Sequence, residues 1–348
     1  MIDILVTLIP ICCMAVYFYG LRVLIMLSFA VLVGILCDWI VRRLLKQKWE
    51  KYDFSCVVTP IVYTLLLPAT APYWMVALGV ALAIFVAKAP FGGYGKNIFN
   101  PAAFSAAFMV ISWPEIMVKY PTVFEPLGFE SMPNVTLNNS ANYYLLMGGA
   151  PKINLMDAVL GNFSGPMGAT SILVIGACAL YLLFRKTMSW QIPLGTFSVV
   201  ILWSLLFPTV STGWIASIVY EMIAGVLVFG VVFMASDPHT VPATGKGKMV
   251  FGVLLGLITM LFRSFGATEL SFVFALLLMN ALSEFCDVIG SYIFKKKKTI
   301  AGKNSYSTSD RGRIRTPLFG TERVEKKNGT FLRKTRIVIS KNRWPAFG

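Results

Sequence analysis

The sequence predicts an all-α polytopic membrane protein of about ten transmembrane helices, arranged as two five-helix repeats and followed by a basic cytoplasmic tail. Three observations predict it. Hydrophobic residues fill 57% of the 348 positions and charged residues only 14%, an apolar share above the roughly 45–50% of soluble domains. Apolar runs near the ~20 residues that cross a bilayer recur along the chain. One long polar segment divides those runs five and five.

The runs fall at about 3–20, 23–41, 54–70, 73–89 and 99–114, then 167–184, 190–207, 213–235, 249–263 and 270–294. The first lacks a basic start, and apolar sequence resumes directly after Arg22, so it reads as a retained span and not a cleaved signal. Several runs are short or interrupted by Pro and Gly, which in membranes marks helices that line a cavity or pack closely. The organisation is a first repeat over 1–114, an extracytoplasmic segment over 115–166, a second repeat over 167–294 and a tail over 295–348.

The net charge of +15 sits almost entirely in that tail, which carries 16 of the 31 Lys and Arg against three acids. Orientation follows from bases in the short loops. With the N-terminus inside, Arg42, Arg43, Lys46, Lys48, Lys51, Lys88, Lys96, Arg185, Lys186, Lys246 and Lys248 share the cytoplasmic face, and only Arg22, Lys119, Lys152 and Arg263 oppose them. An even number of spans returns the C-terminus to the cytoplasm. Trp74, Trp113, Trp203 and Trp214 fall near span boundaries, as an aromatic belt requires.

The six cysteines lie in or beside apolar runs without C-x-x-C spacing and read as small buried hydrophobes. His239, the only histidine, has no Cys or second His nearby, so no metal site is predicted.

Two connectors rich in Gly, Pro and Asn stand out: residues 91–101, FGGYGKNIFNP, and residues 236–248, SDPHTVPATGKGK. They suggest paired broken helices or re-entrant turns, with ordinary loops as the alternative. Backbone N–H groups in a Gly-rich turn and a nearby Lys can hold phosphate. Gly92, Gly93, Gly95 and Lys96 could form such a turn.

The stretch from Gly92 to Ala103, GGYGKNIFNPAA, resembles the GGxGxNxFNPA signature of the NqrB/RnfD family of membrane subunits. Residues 233–238 (FMASDP) with Lys246-Gly247-Lys248 and Phe251-Gly252 are similar to its FMATDPVS…KGRxxFG element. Residues 161–171, Trp190-Gln191-Ile192-Pro193, Arg263-Ser264-Phe265-Gly266 and 277–282 (LLMNAL) also fit. The resemblance covers about residues 1–292, and spacing and length favour RnfD. It implies two five-helix repeats in a bacterial inner-membrane complex that passes electrons through flavin while Na⁺ or H⁺ crosses. Combined with the Gly-rich turn reading, this makes Gly92, Gly93, Gly95, Lys96, Asn97 and Asn100 the candidate site for noncovalent FMN or riboflavin.

The family also carries FMN as a phosphodiester on a Thr of an S-G-A-T-type motif in the extracytoplasmic segment. A hydroxyl is needed there because it attacks the pyrophosphate of FAD. The matching place reads Asn139-Ser140-Ala141-Asn142, and the Asn142 amide cannot form that ester. Covalent FMN is therefore expected to be absent. Ser140 and Thr170 are the two hydroxyls left as fallback acceptors, although Thr170 also reads as a helix N-terminal residue.

Ionisable side chains in spans are costly and default to functional hypotheses. Glu221, within the eighth run, and Asp237, at its end, are the ion-path candidates, with an interfacial or salt-bridged role as the alternative for Glu221. Asp38 and Asp287 read as structural, compensated by Arg42 and Lys295. No residue of the chain is assigned a catalytic role on its own.

Four consecutive lysines, 295–298, would be drawn to anionic lipid by roughly 1 kcal/mol per base. The rest of the tail reads as disordered. It has no motif that would accompany nucleic-acid binding. The leading reading is a membrane subunit of an Rnf-like redox-driven ion translocase, working with the other subunits of such a complex. The alternatives are a stand-alone channel or transporter and a non-redox scaffold of the same fold.

Overall fold

The computed structural model describes residues 1–46, 53–93, 95–125, 127, 136–139, 144–145, 154–209, 213–266 and 270–301. The first five apolar runs fold as α1 (Ile2–Tyr19), α2 (Leu21–Leu44), α3 (Ser55–Leu65), α4 (Tyr73–Phe85) and α5 (Pro101–Ser112). A single residue, Gly20 at φ +81°, turns the chain between α1 and α2. A short α6 (Pro114–Met117) follows.

In the polar segment, β1 (Lys119–Pro121) pairs antiparallel with β2 (Leu137–Asn139), Tyr120 facing Asn138. This ribbon amends the all-helical expectation. Three residues per strand, one of them a Pro, are too short to carry a periodic signal. Helix α7 (Leu155–Leu160) closes the segment.

The second set of runs gives α8 (Ile172–Phe184), α9 (Gln191–Leu206), α10 (Trp214–Ile223), α11 (Leu227–Phe233), α12 (Gly245–Gly266), α13 (Ser271–Ala281) and α14 (Ser283–Ala301). Helices α1, α2 and α12 are individually long and apolar enough to cross a membrane. The pairs α10/α11 and α13/α14 pass the same test as spans bent by 52° and 70°. Leu32, Leu36, Ile111, Phe184 and Leu202 stand more than half exposed on helix surfaces. Such apolar surface is suited to lipid, and the chain is a polytopic membrane protein.

Two devices set the packing. Helices α9 and α12 meet backbone to backbone: a Cβ at Gly252 would lie 2.6 Å from Ile192 O, and one at Gly256 2.8 Å from Thr196 O. This G-x-x-x-G spacing is the small-residue contact that replaces hydrophobic drive in lipid. Thr196 Oγ1 donates across it to Gly252 O at 3.1 Å. Elsewhere, residues 161–171 fold back over the end of α3. Met167 N donates to Leu67 O (3.2 Å) and Gly168 N to Leu65 O (2.8 Å). That capping explains why α8 starts at Ile172, five residues later than its apolar run.

Arg22 and Arg263 are not loop bases. Their side chains are buried, and Arg22 donates to Ala69 O at 3.0 Å and Ala71 O at 3.1 Å.

Candidate functional site

The Gly-rich connector turns through Gly92, Gly93 and Gly95, at φ +99°, +91° and +79°. Only glycine takes these values without strain. Asn100 then starts α5. Its Oδ1 accepts from Ala102 N (3.1 Å) and Ala103 N (3.2 Å), and Pro101 occupies the first helical position, which lacks an N–H to satisfy. The other end of the same amide, Nδ2, donates to Met234 O at 3.2 Å. One side chain thus caps a helix of the first half and ties it to the end of α11, 134 residues away and just ahead of the second connector.

That second connector begins where α11 ends. Ser236 Oγ donates to Val231 O (2.9 Å), and Asp237 Oδ1 accepts from His239 N (3.2 Å). Burial pushes the Asp237 carboxyl above the usual carboxylate range, against the opposing pull of His239. The His239 ring rests on the first connector: a Cβ at Gly95 would lie 3.3 Å from its Cε1.

Between the connectors lies a cleft with about 890 Å³ of empty space, open mouth included. Asn97, Asn100, Ser236 and Asp237 give it polar groups, and Val58, Val62, Leu182 and Phe233 give it apolar walls. Gly92, Gly93, Gly95 and Lys96 do not line it. The N–H groups of Gly92, Gly93 and Lys96 donate within their own turn, to Ala89 O, Lys88 O and Gly93 O. Among the predicted cofactor residues, the fold therefore joins Asn97 and Asn100 to Asp237 and leaves the glycines to shape the turn.

Behind one wall of the cleft, reached through Ser55 and Lys88, lies a buried charge cluster. Lys88 Nζ donates to Asp38 Oδ1 (2.8 Å) and Ser55 Oγ (2.6 Å), and Arg42 Nε donates to Asp38 Oδ2 at 2.5 Å. Arg42 Nη2 reaches Asp53, which also accepts from Ser55 N (2.9 Å) and the Ser55 hydroxyl. The side chains of Asp38 and Asp53 are each 3% exposed. Two acids and two bases balance, as a buried cluster requires. Burial opposes the Asp53 charge, but the Ser55 hydroxyl and N–H, Lys88 and Arg42 together hold its carboxyl below the usual range. Ser55 and Lys88 face the cleft.

Glu221 lies apart from this cleft, where α10 breaks. Its carboxylate accepts from Thr209 Oγ1 at 2.8 Å and from Arg263 Nη1 at 3.1 Å, and both charged side chains are nearly fully buried. A second cavity opens beside them, lined by Trp203, Phe207, Thr209, Glu221, Arg263 and Ser264.

Thr170 is fully buried two residues before α8, and its hydroxyl has no hydrogen-bond partner among the described residues. Ser140 and Asn142 lie outside the described residues. Asp287 holds the second connector: it accepts from Ala243 N (2.9 Å), Thr244 N (3.0 Å) and the Thr244 hydroxyl (2.5 Å). The Lys295 side chain lies outside the described residues.

A sequence profile of the NQR2, RnfD, RnfE family matches residues 1–295. The chain belongs to that family. Within the NQR2, RnfD, RnfE family it is similar to a subunit of the Na(+)-translocating ferredoxin:NAD(+) oxidoreductase complex of Acetobacterium woodii. They share 30% identity over 284 residues, 80% of this chain and 84% of that protein. The counterpart from the proton-translocating ferredoxin:NAD(+) oxidoreductase complex of Clostridium ljungdahlii is 29% identical over 286 residues, 80% of this chain and 85% of that one. A subunit of the Na(+)-translocating NADH-quinone reductase of Pseudomonas paraeruginosa matches over a shorter stretch. It is 33% identical over 214 residues, 59% of this chain and 52% of that protein.

In this member of the NQR2, RnfD, RnfE family the pairing of Asp38 with Arg42 expected from the sequence is present, but two further buried bases, Lys88 and Arg263, join the clusters unannounced by it. Both read as loop bases in the charge count, although each lies within the last residues of an apolar run, 73–89 for Lys88 and 249–263 for Arg263. The rule that flagged Asp38 and Glu221 applies equally to bases.

Proposed function

We propose that this chain is the membrane subunit of an Rnf-type complex that couples ferredoxin/NAD redox chemistry to Na⁺ or H⁺ transport. It sits in a bacterial inner membrane with ten spans and both termini cytoplasmic. The observation that carries the reading is the convergence of the two connectors on one cleft, with Asn100 of the first bonded to Met234 O at the end of α11, just ahead of the second. Helix packing supports the duplicated plan. Helix α2 packs on α4 as α9 packs on α12, and the halves touch through their first members, α1 with α8, and their last, α5 with α13.

The cleft fits the ring of a noncovalently bound flavin. A flat heterocycle with amide-like N–H and C=O edges suits apolar walls with a few fixed polar groups. Asn97, Asn100, Ser236 and Asp237 supply such groups, and Val58, Val62 and Phe233 supply the walls. When bound, the flavin supplies the redox chemistry. The protein's own residues orient the ring, and Lys88, held by the balanced Asp38/Arg42/Asp53 cluster behind it, presents a fixed charge at the cleft wall. With Asn142 at the family's anchor position, this chain holds flavin without a covalent link. Glu221 and Asp237 belong to the ion path, and the four lysines after residue 294 meet anionic lipid.

The complex-level reading is tested by purifying the tagged chain from its native membrane. Co-purification of other redox subunits, and ferredoxin-driven ion uptake by the membrane vesicles that is lost on Glu221→Gln, are the expected results. A chain recovered alone, with uptake unchanged by its deletion, contradicts the reading.

A further inference from the structure

The break between α10 and α11 leaves backbone carbonyls without helical partners. Ala224 adopts an extended conformation (φ −60°, ψ 135°) and Gly225 takes φ +64°. A helix that stops inside a membrane must satisfy its last carbonyls from elsewhere. Here one guanidinium does so. Arg263 Nη1 donates to Glu221 O and, at 3.1 Å, to Glu221 Oε2, while Nη2 donates to Ala224 O. The cation sits among three oxygens: two carbonyls of a broken helix and one carboxylate. The second carboxylate oxygen is held by Thr209.

Carbonyls of unwound helices are the groups that coordinate monovalent ions in discontinuous membrane helices. One carboxylate among neutral oxygens balances a single positive charge, whereas a divalent ion takes six to eight oxygens and more negative charge. The arginine also has somewhere to go, because Arg263 and Ser264 line the cavity that opens beside Thr209 and Glu221.

We infer that the α10/α11 break is a seat for one monovalent cation, filled here by the Arg263 guanidinium as a tethered cation. An alkali-metal ion and the arginine compete for the same three oxygens. The seat holds a mobile ion only when the guanidinium withdraws into the adjoining cavity. The inference deepens, and rests on, the ion-path reading of Glu221. The experiment below reads binding without turnover, so its failure is distinguishable from a failure of that reading, which is scored by ion uptake.

The test compares thermal unfolding of the full-length, detergent-purified chain in choline, lithium, sodium, potassium and guanidinium chlorides at equal, low ionic strength. The wild type is expected to melt at one temperature in all five. Arg263→Ala is expected to gain roughly 3 °C in at least one small cation over choline, the shift for one site filled at about ten times its Kd. The double variant Glu221→Gln/Arg263→Ala is expected to lose that gain. If Arg263→Ala cannot be purified, Arg263→Gln goes through the same comparison with the same outcomes. Equal melting of the single variant in all five salts overturns the inference, and so does a cation response that survives in the double variant.

Discussion

Arg263 is bonded to Glu221 twice, once at its carboxylate and once at its main-chain carbonyl, from a helix 42 residues further along the chain. Removing one member of such a buried pair leaves the other uncompensated, at a cost of about 3–5 kcal/mol. Glu221→Ala should therefore lower the melting temperature sharply. Glu221→Gln, whose amide oxygen still accepts from Arg263, should lower it less. Equal losses for the two would show that charge and bonding at Glu221 do not support the break.

The α9/α12 contact has no room for a side chain. Gly256→Val should cost about 3 kcal/mol or more by forcing the helices apart. Gly176→Val, at a glycine of α8 with nothing within 4 Å of a built Cβ, should be tolerated. The two variants are compared by thermal unfolding in detergent.

Asp53 predicts an acid limb of stability. Its folded carboxyl titrates below the ordinary value of 3.8. Its contribution is therefore complete above pH 3.8 and is lost as the pH falls through the lower folded value. Asp53→Asn should be less stable than the wild type at neutral pH and should lose less on going from pH 5 to pH 3. Parallel pH profiles for the two proteins would contradict the assignment.

Asp237 has the opposite sign. Its folded value lies above 3.8 because burial disfavours the charge. The group is best accommodated below the unfolded value, and that stability is lost as the pH rises through the folded one. Asp237→Asn should be at least as stable as the wild type at neutral pH, with any advantage disappearing in acid. Thermal melts at pH 4 and pH 7 measure this.

Much of this architecture was readable from apolar runs, because a span in lipid needs a continuous stretch of hydrophobic residues and little else. Each of the ten runs contains a helix: α1, α2 and α12 reach spanning length, residues 213–235 and 270–294 reach it only as bent pairs, and α3, α4, α5, α8 and α9 are shorter apolar helices. The bends were not readable. In α10/α11 the break falls at Ala224-Gly225-Val226; a lone glycine in an apolar run also sits inside the unbroken α2, at Gly34, and the break persists because Arg263, far along the chain, satisfies the freed carbonyls. The connectors could be recognised as special, but their meeting could not: the Asn100 to Met234 bond is a tertiary contact with no local signature. Arg42 was legible as a partner of Asp38, but Lys88 and Arg263, read as loop bases, were not legible as partners of Asp38 and Glu221.

On the proposed function, the connector cleft holds flavin without a covalent bond. The most direct measurement is flavin content in the chain purified from its native membrane, before and after denaturation. About one flavin per chain is expected in the native protein, released on denaturation, with no fluorescent band on a denaturing gel. Asn97→Ala, with its melting temperature unchanged, should release far less. Flavin that stays on the denatured chain, or a native chain with none, would contradict it.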